Sequence, residues 1–266
     1  MEESSILLQA TALSKTFTLH NQGGIRLPVF DTLDMTLRAG ECLALVGPSG
    51  AGKSSLIRCL YGNYLPQSGS ILVRHRGEMI DLTTTHPQRI IDIRRHTIGF
   101  VSQFLRAIPR VAAIDVVAEP LLARGIEQDT ARDAASAMLE RLNIPQHLWS
   151  LAPATFSGGE QQRVQLARVL TQVWDPVADG QSRYLFLDEP VSSLDIKHQL
   201  QIMNIARDYA SSGGGVLAIM HDLNLTAMFA DHVVMLSRGR LFAQGTPAEV
   251  ITSENLGHVY ECDLTV

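Results

Sequence analysis

Five short runs of this chain are almost continuously apolar: residues 42–46, 98–101, 184–187, 216–220 and 233–236. A strand with one wet face alternates apolar and polar residues, so an unbroken run marks a strand covered on both sides, as in a parallel sheet. Helical patterns lie between the runs. Leu166, Val169, Leu170 and Val173 recur at i, i+3, i+4 and i+7 and make one apolar stripe. Buried strands alternating with amphipathic helices predict an α/β core on a mainly parallel sheet. Near the start, β-rich stretches at 7–20 and 27–37 are separated by Asn21-Gln22-Gly23-Gly24, which predicts an antiparallel hairpin added to that core. A second hairpin is expected over 233–244, turning at Arg238-Gly239. Residues 107–150, rich in Ala, Leu and Glu, predict an inserted helical subdomain, and residues 174–183 a surface loop.

Composition removes several classes. With 266 residues, 45% hydrophobic and 18% charged, the chain is too apolar for disorder and long enough for one large domain with an insertion. Lys+Arg 22 against Asp+Glu 27 leaves a net charge of −5 and no basic field, so no nucleic-acid partner is expected. No apolar stretch approaches the roughly 18 residues that span a bilayer; residues 111–123 are cut by Asp115, Glu119 and Pro120. The acidic opening Met-Glu-Glu-Ser-Ser is not followed by a long apolar run and predicts no secretory signal. Cys42, Cys59 and Cys262 form no C-x-x-C pair; three reduced thiols, two of them in the core, fit a cytoplasmic protein.

The run at 42–46 leads into Gly47-Pro48-Ser49-Gly50-Ala51-Gly52-Lys53-Ser54, which fits G-x-x-x-x-G-K-[ST], and a helical run follows it. Glycines let a backbone wrap a phosphate chain with its N–H groups pointing inward, and a helix N-terminus adds about half a positive charge. Lys53 is expected on the β/γ-phosphates, the Ser54 hydroxyl on Mg²⁺ and Ser55 on a more proximal phosphate. A plain glycine turn between strand and helix would need neither Lys nor Ser at those two places. The run at 184–187 ends in Asp188-Glu189. At the carboxyl edge of a parallel sheet such groups face a nucleotide crevice. Asp188 is expected in the Mg²⁺ shell, through water, and Glu189 as general base on the attacking water. His221, after the run at 216–220, is placed to sense the γ-phosphate, and Gln103, after the run at 98–101, to meet Mg²⁺ or the water. Taken alone, an exposed His or Gln carries no such weight.

Phe156-Ser157-Gly158-Gly159-Glu160-Gln161-Gln162-Arg163 precedes the striped helix. Ser and two Gly at a helix start make a second anion site, and two sites that cannot serve one nucleotide suggest a dimer closing over ATP. With these motifs the chain resembles the ATPase subunit of the ABC (ATP-binding cassette) family. The resemblance implies a P-loop NTPase fold of ABC type, with a parallel core, an antiparallel β subdomain and an inserted helical subdomain. It implies one domain over 1–266, with 1–106 and 157–266 as the α/β part and 107–156 helical. By the same resemblance ATP and Mg²⁺ are the cofactors. Gln103 is the Q-loop glutamine, and Ser157, Gly158, Gly159 and Glu160 contact the ATP of the opposite subunit. Asp195 belongs to the D-loop Ser192-Ser193-Leu194-Asp195, His221 is the switch histidine, and Phe17 stacks on adenine. Phe156 and Glu160 stand where Leu and Gln are usual in this signature.

Finer resemblance divides along the chain. Up to about Arg163, stretches such as Ser14-Lys15-Thr16-Phe17, Tyr61-Gly62-Asn63-Tyr64-Leu65-Pro66 and residues 101–110 are similar to the ABC-type subunit of the phosphonate carbon–phosphorus lyase system. Beyond it, Leu194-Asp195-Ile196-Lys197-His198-Gln199, residues 221–227 and Gly245-Thr246-Pro247 resemble the ATPase of haem importers, as does a long span between Ser157 and Asp188. Either the chain is a mosaic joined within 157–168, or it is one divergent subfamily with both sets of features. The expected partners are a second ABC ATPase subunit, identical or not, and either phosphonate lyase components or a haem-import permease. Phe104, Leu105, Ile108 and Pro109 are expected as an exposed apolar contact patch. The expected activity is ATP hydrolysis driving or gating that partner. ATP-dependent assembly of a soluble phosphonate-degrading complex, or nucleotide binding alone in a recombined chain, are the alternatives. The expected place is the cytoplasm, at or near the inner face of the membrane.

Overall fold

A computed structural model describes residues 5–19, 23–102, 109–175, 177, 180–192 and 194–261. In chain order the first half runs β1 (Ile6–Leu19), β2 (Ile25–Arg38), β3 (Cys42–Val46), α1 (Lys53–Leu60), β4 (Ser68–His75), β5 (Glu78–Asp81), α2 (Pro87–His96), β6 (Ile98–Val101), α3 (Ala113–Leu122) and α4 (Gln128–Arg141). Two single 3-10 turns, Gln146–Leu148 and Pro153–Thr155, precede α5 (Gly158–Val173). Then come β7 (Tyr184–Asp188), α6 (Ile196–Ser211), β8 (Gly215–Ile219), α7 (Leu223–Phe229), β9 (His232–Ser237), β10 (Arg240–Gly245), α8 (Pro247–Val250) and α9 (Ser253–Tyr260).

Two sheets result. The antiparallel sheet has the order β2-β1-β4-β5, and the larger sheet the order β10-β9-β3-β8-β7-β6. Within the larger sheet every pairing is parallel except β10 with β9. The expected hairpins are β1–β2 and β9–β10.

Alternate residues of the central strands feed different cores, which is why the strands read as unbroken apolar runs. Leu43, Leu45, Tyr184, Phe186, Leu217 and Ile219 face the antiparallel sheet and α1. Cys42, Ala44, Val46, Leu185, Leu187, Val216 and Ala218 face α5, α6 and the helical part. Each fully buried leucine or isoleucine contributes about 1.5–3 kcal/mol. The α5 stripe meets β6 where Gly99 leaves room; a Cβ there would crowd Val169 and Val173. Helices α3 and α4 bury Ala113, Val116, Val117, Ala131, Ala135 and Leu139 in the same core as α5. Cys42 and Cys59 are buried thiols, raised to about 12 and about 11 chiefly by burial. Cys262 lies outside the described residues.

A polar network joins the sheets. Tyr184 OH donates to the Leu7 carbonyl at 3.1 Å and to the Arg74 carbonyl. His75, 2% exposed, sets Nδ1 2.6 Å from Thr97 Oγ1 and Nε2 3.0 Å from Asp92 Oδ2. Asp92 Oδ1 also meets Arg76 Nη2 at 3.2 Å and His96 Nδ1 at 2.9 Å. Burial pushes the His75 pKa below its ordinary 6.5, against the pull of Asp92. Burial alone would raise Asp92, but the His75 hydrogen bond and the charge of Arg76 hold it below the usual carboxylate value.

The unfolded chain therefore takes a proton on His75 at a higher pH than the folded chain does. The stability tied to neutral His75 is complete above 6.5 and is lost as pH falls below it. His75→Gln keeps a polar side chain and removes the titration. Urea unfolding between pH 7 and about 5 should show a flatter decline in this variant than in wild type. An equally steep decline would place the acid sensitivity elsewhere.

Candidate functional site

Register brings the site together. Leu45 of β3 pairs with Ile219 of β8, and Ile219 pairs with Asp188 of β7. Three strands that are distant in sequence thus end at one level, and the residues just beyond them share one edge. A cavity of about 200 Å³ lies there, lined by Ser49, Gly50, Gly52, Lys53, Ser54 and Ser55 from the loop, Glu189, His221, and Val29 of β2.

The loop leaves β3 at Gly47, whose φ of +135° and contact with the Leu236 backbone leave no room for a Cβ. Gly52, at φ +100°, caps α1, and Val29 O would lie 3.0 Å from any Cβ placed on it. Among the described residues no side chain caps α1 and no acidic residue stands in its first turn. The N-terminal N–H groups and the helix dipole are left facing the cavity, an arrangement suited to an anion. Lys53 is 5% exposed, and its Nζ donates to the carbonyls of Gly47 at 2.6 Å and Pro48 at 2.9 Å. Burial lowers its pKa, while Glu189 and then Asp188 pull it back up.

Asp188 is 1% exposed. Ser54 Oγ donates to its Oδ1 over 3.4 Å, and its Oδ2 is buried without a hydrogen-bond partner. Burial pushes the Asp188 pKa up, opposed first by Arg58. A desolvated carboxylate with an unmatched oxygen beside a serine hydroxyl is a hard-oxygen pair that fits a divalent cation held partly by phosphate oxygens. Among the described residues no cluster of three or more His, Cys, Asp or Glu could hold a metal unaided.

Glu189 sits at φ +55°, a left-handed conformation that costs a non-glycine residue about 1–3 kcal/mol. Gln162 of α5 steadies this turn, donating from Nε2 to the Pro190 carbonyl at 2.6 Å and the Glu189 carbonyl at 3.4 Å. The Glu189 carboxylate Oε1 lies 2.7 Å from His221 Nε2. Neither the Gln162 support nor the Glu189–His221 contact is signalled by local sequence.

Phe17, Ser157, Gly158, Gly159, Glu160 and Asp195 do not line this cavity. Gln103, Phe104, Leu105, Ile108 and Ser193 fall outside the described residues. Phe17 is half-buried, edge-on to Tyr64 with centroids 5.2 Å apart, and Lys15 Nζ lies 4.8 Å from its ring; it does not line the cavity. Ser157 caps α5 in a reciprocal box: Glu160 N donates to Ser157 Oγ at 3.3 Å, and Glu160 Oε2 accepts from Ser157 N at 2.9 Å and from Ser157 Oγ at 2.7 Å. These bonds hold Glu160 below its usual value. None of residues 157–160 lines the cavity within one chain. Asp195 caps α6, accepting from His198 N at 2.9 Å.

Residues 30–192 match the sequence profile described as ABC transporter. The chain belongs to the ABC transporter family. It is an ATP-binding cassette and an ATPase. It is similar to the hemin import ATP-binding protein HmuV of Jannaschia sp. (strain CCS1), 47% identical over 240 residues, 90% of this chain and 84% of that protein. The protein of the same description from Roseobacter denitrificans is 44% identical over 241 residues, 91% of this chain and 88% of that one. These matches run through both halves and across 157–168, so they lend no support to a join there or to the phosphonate resemblance. The fold is that of a dimeric ATP-binding cassette solved in a post-hydrolysis state with ADP and Pi, with a TM-score of 0.80 at 24% identity, covering 91% of this chain and 99% of that one. Among the described residues no helix is long and apolar enough to cross a membrane.

The Asp188 environment yields a test with two opposite signs. Because the folded chain raises this carboxyl's pKa, the charged form destabilises the native state at neutral pH. Asp188→Asn should leave the Tm at pH 7 equal to or above wild type while magnesium-dependent ATP hydrolysis drops by at least about 10²-fold. A Tm lowered by several degrees would show that the carboxylate is a structural anchor instead.

Proposed function

We propose that this ATPase powers a haem importer as the nucleotide-binding subunit, acting as a dimer at the inner face of the membrane on a permease partner. The observation that carries the site chemistry is the convergence of Lys53, Glu189 and His221 on one cavity at the end of β3, β7 and β8. Support for the cargo is the identity shared with hemin import ATP-binding proteins across about nine-tenths of the chain.

In this reading the phosphates of ATP settle on Gly47, Pro48, Ser49, Gly50, Ala51 and Gly52, against the free N-terminus of α1. Lys53 turns from its loop carbonyls to the β/γ-phosphates, and Ser55 meets a more proximal phosphate. Ser54 and Asp188 would hold Mg²⁺, which when bound neutralises phosphate charge. Glu189 orients a water toward the γ-phosphorus and accepts its proton as the bond to the ADP oxygen breaks. His221, already against Glu189, holds that carboxylate in place and meets the γ-phosphate, while Gln103 completes the shell around the water. Phe17 supports adenine. Ser157, Gly158, Gly159 and Glu160 of a second subunit close over the triphosphate, with Asp195 at the same junction. Closing the sandwich requires Ser157 Oγ to turn from Glu160 to the phosphate, so the capping box acts as a resting position.

Glu189→Gln should cut hydrolysis at least about 10²-fold while ATP binding persists and dimers accumulate on gel filtration. Unchanged turnover would remove Glu189 from the role of base. The cargo is tested in a strain lacking its haem-import ATPase. Growth on haem restored by this chain supports the reading. Growth restored only on phosphonate, in a strain lacking that system, would replace it with the phosphonate assembly.

A further inference from the structure

Helix α9 reaches the first residue of the phosphate loop. It is seated by Leu256 and Val259, which lie in the same core as Val233 and Met235 of β9, and Tyr260 packs against that core. Thr252 Oγ1 caps its start, accepting from Asn255 N at 3.2 Å. Glu261, at φ +55°, closes its end and sets Oε1 2.6 Å from Arg238 Nη2 in the β9–β10 turn. That exposed pair contributes little stability by itself. Tyr260 thus stands between a buried anchor, Val259, and a surface one.

Tyr260 meets Gly47. Burial pushes the phenol pKa up, and a hydrogen bond from the Gly47 backbone pulls it back. Only a donor stabilises a phenolate, so the group is the Gly47 N–H and the hydroxyl oxygen accepts. The pairing of β3 with β9 ends at Val46, opposite Met235. The Gly47 N–H lies just beyond that ladder and takes a side chain instead. The rest of Gly47 is also engaged. A Cβ on it would run into the Leu236 carbonyl oxygen, and its own carbonyl accepts from Lys53 Nζ at 2.6 Å. Glycine has the widest choice of backbone angles of any residue, so the loop would swivel here if nothing held it. The peptide before Gly47 is held by Tyr260, and the one after it by Lys53. In the proposed ATP site Lys53 leaves for the phosphates, and Tyr260 is the tether that stays.

We propose that Tyr260 is a positioning residue for the nucleotide: by holding the Gly47 N–H it keeps the phosphate loop in its cradle form before ATP arrives. Tyr260 touches no substrate and acts through the population of that form. When only a fraction of free molecules is competent, the measured Kd is the intrinsic value divided by that fraction. Loosening the tether therefore weakens binding, while the bound complex, with its loop ordered by the phosphates, turns over as before. Loss of one neutral hydrogen bond corresponds to about 2–12-fold in such an equilibrium. The proposal rests on the reading of residues 47–54 as the phosphate cradle and adds a residue, from α9, that sets its form.

The test is Tyr260→Phe in the full chain, which removes the hydroxyl and keeps the ring. MgATP and MgADP are titrated by calorimetry, and kcat is read at saturating MgATP. Both Kd values should rise about 2–12-fold and by the same factor, with kcat within about twofold of wild type. Val259→Ala is the structural comparison. It loosens α9 from the core without touching the hydroxyl, and should lower the Tm by several degrees with both Kd values unchanged. Kd values for Tyr260→Phe within about twofold of wild type would overturn the proposal. So would an equal rise in Val259→Ala, which would assign the effect to helix packing, or a kcat loss larger than the Kd change, which would move the hydroxyl into the chemistry. A Tm lower by more than about 4 °C in Tyr260→Phe would overturn it too, by making the hydroxyl an anchor of the fold. Lys53→Ala separates this from failure of the site itself. If it weakens MgATP binding and Tyr260→Phe does not, the cradle stands and the tether falls; if neither variant changes binding, the cradle reading falls as well.

Discussion

The parallel register of β3, β8 and β7 is the constraint on which the site depends. Leu45, Ile219 and Asp188 stand abreast, so the loop after β3, the acidic pair at the end of β7 and the histidine after β8 meet without any long-range contact designed for the purpose. The two buried cores on either side of the sheet hold that register. A slip of one residue would turn Leu43 and Leu45 toward the face now filled by Ala44 and Cys42, so packing opposes it strongly.

What makes this edge reactive also makes it costly. Glu189 adopts a left-handed backbone, Asp188 carries a buried oxygen without a partner, and α1 begins without a side-chain cap. Each is a local loss of stability at a place where a phosphate, a cation or a water could be received. The surroundings offset them: Gln162 reaches from α5 to the strained turn, and Val29 closes on Gly52 from the antiparallel sheet. The antiparallel sheet and α5 thus both help to shape the edge at the end of β3, β7 and β8.

Much of this arrangement is legible in the sequence. Continuous apolar runs identified the strands because both sheet faces are covered, and the glycine loop was recognisable because only glycine tolerates the backbone at Gly47 and Gly52. Local sequence could not show that His221 touches Glu189. That contact depends on the spatial order β3-β8-β7, in which strands far apart in the chain are neighbours. Val29 was invisible for a similar reason: its place beside the loop follows from irregular pairing of β1 with β2 between Lys15 and Thr16. No linear spacing connects Tyr260 of α9 with Gly47, whose N–H it meets. The phosphonate resemblance finds no support, because relatives described as hemin import ATP-binding proteins match across both halves of the chain.

The fold-back of Lys53 onto the carbonyls of Gly47 and Pro48 has a thermodynamic consequence. The ammonium already has two carbonyl acceptors, so under the proposed ATP site the capture of a triphosphate would exchange acceptors rather than fill an empty socket. For this lysine only the difference between phosphate and carbonyl as acceptors would then add to affinity, and its return to its own loop would favour release of the product.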